Sequence, residues 1–306
     1  MGRRPWHFQS SSGDKASGAV AHGEGTSPLP SPGFRTLQRG CCIKRHTSAD
    51  YETSFVLGDL HFPWQNDRAI EVALGIADEL APDLIVINGD ATDCWEISKF
   101  DKSPALHEKG KLSSELKGTR DFLVRLRKRF QKARIVYIFG NHEHRWAVFI
   151  ASNARELHGL KGMTLQEQLE LMEHRIEWIY SGNRETSWQW GKLLMGHFDA
   201  VSKHSGYTAK NLLDSKGISL IQNHTHRGGS SFKRLWDRDV VAYENFCLCD
   251  RNPAYVDHPN WQLGFSIVYK DRKSDCFSVE QHPIVEIVNG DRTTLKAFFN
   301  CTLFVN

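Results

Sequence analysis

The sequence predicts an α/β fold of four layers, α/β/β/α, in which two mixed β-sheets pack face to face with helices outside. Two observations carry this. Through the first half of the folded region, apolar strand-like runs alternate with helical stripes. That β–α–β–α–β order implies a parallel core with right-handed crossovers. The second half is mostly strands, which calls for a second sheet packed on the first.

Taken in order, residues 1–52 are rich in Gly, Ser, Pro and His without a sustained apolar period, and read as a disordered N-terminal extension. From Ser54, SFVLGDLH is a strand ending in a polar turn. Asn66 or Asp67 then caps a helix with Ile70, Ala73, Leu74, Ala77 and Leu80 at helical spacing, and Pro82 closes it. DLIVINGD is a second buried strand. A longer helix runs near Leu112–Lys132 on the stripe Leu112, Leu116, Leu123, Leu126 and Phe130. RIVYIFGNHE is the third strand and turn. Residues 145–180 read as helical, with Thr164 and Glu167 as a capping box and Leu165, Leu169, Met172 and Ile176 as the stripe. Strands follow at TSWQWGKLLMGH, GISLIQNHTH, VVAYENFCLC, FSIVYK and CFSVEQ, with a helix near Tyr207–Ser215 between the first two. The folded domain is expected over 53–290, with 291–306 as a C-terminal tail. Trp178, Trp188, Trp190 and Trp261 lie in strand-like stretches and are expected in the core.

Bulk properties narrow the function. The 306 residues, 40% hydrophobic and 25% charged, are ordinary for a soluble protein. No apolar stretch approaches the ~20 residues that span a bilayer, so no membrane partner is expected. The N-terminus lacks the apolar core of a secretory signal, which makes cytoplasmic the expected location. Seven Cys, an odd number at irregular spacing, do not form a disulfide framework, and Cys247 and Cys249 fit strand alternation. Seven Lys or Arg against three acids give residues 1–50 a charge of +4, so the rest carries −1 of the total +3. Such a body gives no global electrostatic case for nucleic acid.

Five polar motifs follow one another along the chain: GDLH at Gly58–His61, GD at Gly89–Asp90, GNHE at Gly140–Glu143, GH at Gly196–His197 and NHTH at Asn223–His226. Most directly follow an apolar strand, and the carboxyl ends of parallel strands are where α/β folds bind ligands. Asp59 with His61, and His224 with His226, are each two apart, which on extended backbone puts both side chains on one face. An oxygen and imidazole set without thiolates suits a pair of borderline divalent ions.

In these motifs the sequence resembles the calcineurin-like metallophosphoesterase family, whose pattern reads DxH, GDxxD, GNHE/D, GH and GHTH. The match spans about residues 54–230 in the family order, with Asn223 in place of the usual Gly. The departure is small because Asn tolerates positive φ. The resemblance implies a metallo-dependent phosphatase-like fold and the following roles. Asp59, His61 and His226 bind a first divalent ion, Asn141, His197 and His224 a second, and Asp90 bridges them. His142 faces the substrate phosphate and assists the leaving oxygen, Asp93 orients that His, and Glu143 supports the site from behind. The implied cofactor is two divalent metal ions, Mn, Fe, Zn or Ni with Mn favoured. The implied reaction is phosphoester hydrolysis by a metal-bridging hydroxide.

Several residues beside these motifs carry weaker expectations. Arg145 and Arg227 directly follow ligand motifs and are candidate contacts for substrate phosphate. His144, His204 and His258 are pocket candidates more simply read as exposed. Trp95, Phe100 and the segment to His107 could form a substrate-side lid. Arg125, Lys128, Arg129 and Lys132 share a helical face opposite the apolar stripe, which reads as a solvated surface. A small phosphodiester or phosphomonoester, or a nucleotide-type substrate, is the expected partner. A DNA nuclease is the disfavoured alternative, and a non-catalytic metal-binding scaffold the remote one. The GD motif continues as ATDCWE and not with the DRG of the protein-phosphatase branch.

Overall fold

The computed structural model describes residues 50–99, 110–252, 259–290 and 292–306, all within one compact unit. In chain order the first half runs β1 (Tyr51–Leu57), α1 (Asp67–Leu80), β2 (Leu84–Asn88), α2 (Leu112–Arg129), β3 (Arg134–Ile138), α3 (Asn141–Asn153), α4 (Leu165–Gln168) and β4 (Glu177–Ile179). Next come β5 (Thr186–Trp190), β6 (Leu193–His197), α5 (Tyr207–Lys216), β7 (Leu220–Gln222), β8 (Gly228–Arg234) and β9 (Asp239–Asn245). The chain closes with β10 (Gly264–Asp271), β11 (Phe277–Pro283), β12 (Val285–Asn289), β13 (Arg292–Phe299) and β14 (Thr302–Val305).

One sheet has the order β11-β10-β1-β2-β3-β4, and a second the order β5-β6-β7-β9-β8. Strands β1 to β4 are parallel, while β10 and β11 extend their sheet antiparallel. Strand alternation sorts the core into layers. Phe55, Leu57, Ile85, Ile87, Ile135 and Tyr137 share a core with Ile70 and Leu74 of α1 and Leu123 and Leu126 of α2. The intervening Val56, Val86 and Val136 meet Leu193, Met195 and Ile221 of the second sheet. Leu212 and Leu213 of α5 cover that sheet's other face on Leu220 and Ala242. The architecture is the expected α/β/β/α sandwich. Local signals hold at α1, where Asn66 Oδ1 accepts from the Ala69 amide at 3.0 Å and left-handed Ala81 ends the helix before Pro82. Such a cap contributes about 1 kcal/mol.

Half of the basic face of α2 is ion-paired. Arg125 and Arg129 pair with Glu71, and Arg129 also with Asp78. Among the described residues no helix is long and apolar enough to cross a bilayer.

Departures from the sequence reading have local causes. The helical stretch expected over 145–180 breaks after α3, and α4 is a single turn. Its capping box does form, with Thr164 Oγ1 donating to Glu167 Oε2 at 2.6 Å. Left-handed Glu170 and Arg175 then turn the chain, so Leu171 enters the core while Met172 is exposed. Strand β8, GGSSFKR, has no apolar alternation to announce it. The segment expected as a C-terminal tail contains β13 and β14, which pair into a third sheet with β12. Its Leu295, Ala297 and Phe299 join the core beneath α1, and Arg68 donates to the Asn306 carbonyl at 2.8 Å. Of the four Trp, only Trp190 is fully buried. Trp178 sits exposed on edge strand β4, and Trp188 lies under the Arg134 guanidinium.

Candidate metal centre

The loops after β1 and β2 lie side by side because main-chain hydrogen bonds continue past the strand ends, and the loop after β3 is tied to them through the Asp90 and Glu143 side chains. Asp59 N donates to Gly89 O at 3.0 Å, His61 N to Asp90 O at 2.9 Å and Phe62 N to Ala91 O at 2.8 Å. Asp59, His61, Asp90, His224 and His226 all have left-handed backbone, with φ of 49°, 52°, 50°, 87° and 58°. Non-glycine residues seldom adopt this conformation, and its clustering at one cleft is characteristic of functional sites. It also overturns the extended-backbone expectation for the Asp59–His61 and His224–His226 pairs. His226 approaches His61, whereas His224 groups with Asp90 and His197. Glycine is required where the motifs crowd together: a Cβ on Gly140 would lie 2.2 Å from Asp90 Oδ1, and one on Gly89, at φ 89°, 2.2 Å from His197 Nδ1.

The seven side chains expected to ligate converge from both sheets. His226 Nε2 lies 3.4 Å from Asp59 Oδ1 and 3.0 Å from His61 Nε2. His61 Nε2 is 3.8 Å from Asp59 Oδ1 and 3.9 Å from Asp90 Oδ2. His197 Nε2 is 3.1 Å from both Asp90 Oδ2 and Asn141 Oδ1. Ligand bonds of about 2.1 Å set neighbouring donors about 3.0–3.4 Å apart; the spacings around His226 and His197 fit that range, while those from His61 Nε2 to the two carboxylates are wider. Asp90 belongs to both groups, with Asp59 and His61 and with His197 and His224.

Each carboxylate has one oxygen pinned and the other turned to the cleft. Asp90 Oδ1 accepts the His142 amide at 3.0 Å, at the N-terminus of α3. Asp90 Oδ2 is buried without a hydrogen-bond partner among the described residues. Asp59 Oδ2 accepts from Asn223 Nδ2 at 2.9 Å and from the His224 amide at 3.0 Å. The imidazoles are oriented from behind: His61 Nδ1 donates to Asp93 Oδ2 at 2.9 Å and His197 Nδ1 to Asn88 O at 3.0 Å, which leaves both Nε2 lone pairs for the cleft.

Electrostatics match the geometry. Burial opposes charge on Asp59 and Asp90, but the surrounding imidazoles outweigh it and hold both carboxyls well below the usual range. Burial likewise opposes charge on His61 and His197, yet the carboxylates lift the first well above its ordinary value and the second to about 9. Burial and His197 push His224 down to about 3. Positive charge is favoured beside the two carboxylates, at His61 and His197, and disfavoured at His224.

Glu143 supports the centre without facing it. Its Oε2 accepts from the Asp90 and Gly140 amides at 3.0 and 2.8 Å, and its Oε1 from the Thr92 amide and Tyr137 hydroxyl at 3.0 and 2.6 Å. Burial and the Asp90 charge raise its pKa to about 7. In Glu143→Gln the amide nitrogen must oppose a buried N–H on either side. The expected loss is about 2–3 kcal/mol of stability, read by urea unfolding. A variant within about 0.5 kcal/mol of the parent, the usual range for a neutral surface change, would refute this support.

The remaining expectations divide. His142 Nδ1 donates to the Asp93 main-chain carbonyl at 2.9 Å, while the Asp93 carboxylate is 3.5 Å away and mainly engages His61. Asp93 therefore orients two imidazoles through different atoms. Arg145 donates to His142 Nε2 at 2.8 Å and to Asp93 O at 2.9 Å. Arg227 is corrected: buried, it donates to the Ser202 and Lys203 carbonyls at 2.6 and 2.9 Å. Its guanidinium anchors that loop and is not free for a phosphate. His144 pairs with Tyr180, and His204 packs on Tyr207. Trp95 is buried rather than a lid, and its amide donates to Glu115. Phe100–His107 and His258 lie outside the described residues.

Three contributors escaped the sequence reading. Trp261 packs edge-on against the His226 ring at 4.1 Å between centroids. Cys249 Sγ sits 3.9 Å from His226 Nδ1, where strand alternation had suggested only core. Asn223 does not take a positive φ; its amide serves Asp59 instead.

Among solved structures, Vacuolar Protein Sorting 29 from Cryptosporidium parvum matches at 9% identity and TM-score 0.36, covering 84% of this chain and 96% of that one. YfcE, a phosphoesterase from E. coli, matches at 11% and 0.36, covering 74% and 98%. Vps29 from Chaetomium thermophilum matches at 13% and 0.33, covering 75% and 96%. Comparison with curated proteins gives no match. The family model for calcineurin-like phosphoesterases matches residues 53–264, the region that contains every ligand motif described above, and the chain belongs to that family.

Proposed function

We propose that this chain hydrolyses phosphoesters with two divalent cations, and that its substrate is a small phosphodiester or phosphomonoester. One observation carries the reading: two buried carboxylates, each with one oxygen fixed by N–H donors and the other turned toward converging imidazoles. Asp90 Oδ2, buried without a hydrogen-bond partner among the described residues and 3.1 Å from His197 Nε2, is placed to meet a cation. Asp59, His61 and His226 would hold one ion, and Asn141, His197 and His224 the other, with Asp90 shared. Bound there, the ions supply charge for phosphate oxygens and an activated water near neutral pH. Manganese suits these oxygen and imidazole donors.

The chain's own residues position the substrate and move the proton. His142 Nε2, 3.7 Å from Asp90 Oδ2, borders the same cleft and accepts from Arg145; once protonated, and so released from that bond, it would donate to a leaving oxygen. Its Nδ1–H is committed to Asp93 O, which fixes the ring. Arg145 and the N-terminus of α3 add positive potential beside it. The half ion-paired basic face of α2 favours a small substrate over a nucleic acid.

The test is purified protein stripped with a chelator, reloaded with Mn²⁺ and assayed on an aryl phosphodiester, an aryl monoester, cyclic nucleotides, and single- and double-stranded DNA. Turnover of the small esters that disappears on chelation and returns with Mn²⁺ is expected. Activity confined to DNA would overturn the substrate class. Well-bound metal with no turnover would overturn the hydrolase itself.

A further inference from the structure

Asn223 is wholly buried between the two sheets, and its side-chain amide is saturated. Its Oδ1 accepts from Asn88 Nδ2 at 2.8 Å and from Asn245 Nδ2 at 3.1 Å. Those donors are themselves anchored to backbone carbonyls: Asn88 Nδ2 also donates to Gly196 O at 3.0 Å, and Asn245 Nδ2 to Val56 O at 3.2 Å. Three of these four bonds, the two from Asn88 and the one from Asn245 to Val56 O, link one sheet to the other, while Asn245 and Asn223 belong to the same sheet. The anchoring fixes which way every amide points, because turning Asn223 over would set its NH₂ against two other NH₂ groups. Its Nδ2 is thereby compelled to face Asp59 Oδ2, at 2.9 Å.

We infer that Asn223 is a positioning residue that holds Asp59 as a one-oxygen ligand and couples its aim to the packing of the two sheets. The inference rests on the metal-centre reading above. With Oδ2 occupied by Asn223 and the His224 amide, Oδ1, which that amide reaches less closely at 3.3 Å, is the oxygen presented to His226 and His61. Gly58 completes the device. A Cβ there would meet Asn223 Cγ and Nδ2 at 2.7 Å, and its three nearest atoms all belong to Asn223. Gly58 has no left-handed φ, so alanine is opposed there first by that amide and not by the backbone.

Equilibrium dialysis of the purified full chain with Mn²⁺, alongside thermal unfolding of the metal-free protein, tests this. Asn223→Gly should weaken one of two Mn²⁺ sites by about 10- to 100-fold, the range for removing a residue that orients a ligand, and leave the other near wild type. Asn223→Asp, the same shape with an acceptor in place of the donor, should weaken it further. Gly58→Ala should reproduce the loss by displacing the amide, and adding Asn223→Gly should bring no additional loss. Gly58→Ala also serves if Asn223→Gly folds poorly. A wild type that binds two ions and an Asn223→Gly variant that binds both equally well, even with a lowered melting temperature, would reduce Asn223 to a structural role. A wild type that binds no Mn²⁺ would instead remove the metal-centre reading.

Discussion

Replacing His142 by alanine is expected to leave Mn²⁺ binding intact and to lower turnover by about 10²- to 10⁴-fold, the usual contribution of a positioned general acid. Metal binding should survive because His142 Nε2 is already met by the Arg145 guanidinium at 2.8 Å, and a fixed cation there opposes ligation of another. Its Nδ1 is equally committed, to the Asp93 carbonyl. Burial and Arg145 both lower the pKa of His142. The sign of the pH effect follows. A guanidinium disfavours the imidazolium, so Arg145→Ala should raise that pKa and move the limb where activity falls with rising pH to higher pH. Full turnover in His142→Ala, measured at saturating Mn²⁺, would contradict the assignment.

Asp90→Asn should act on the metals themselves. Asp90 alone joins both donor groups, and the substitution halves the carboxylate charge facing the cations. Shape does not rescue it. The His142 amide must keep an oxygen partner at the Oδ1 position, so the new NH₂ is forced into the cleft, pointing its protons at the ions. Elemental analysis after dialysis is expected to fall from two ions to one or none, and activity to vanish with them. Two ions retained at wild-type affinity would mean that Asp90 does not bridge.

The sequence announced the layers and the ligands because both depend on local rules. Alternating Val and Ile through LIVIN and RIVYI leave only a sheet buried on both faces, and each polar motif closes such a strand. The third sheet was hidden because half of its side chains face solvent, among them Val288, Phe298 and Leu303, which blurs any apolar period. Asn223 was misread for a different reason. Its value lies in Asn88 and Asn245, residues 135 and 22 positions away, and no spacing rule reports such a meeting. Arg227 looked available because adjacency to a motif says nothing about which way a long side chain leaves the backbone.

The left-handed turns at Asp59, His61, Asp90, His224 and His226 carry a liability. Each asks a residue with a Cβ to sit where glycine or asparagine would rest more easily, at on the order of 1 kcal/mol apiece. Glycine or asparagine at any one of these positions should therefore raise the melting temperature of the metal-free chain while removing a donor from the cleft. Backbone ease and a complete donor set thus pull in opposite directions at this cleft.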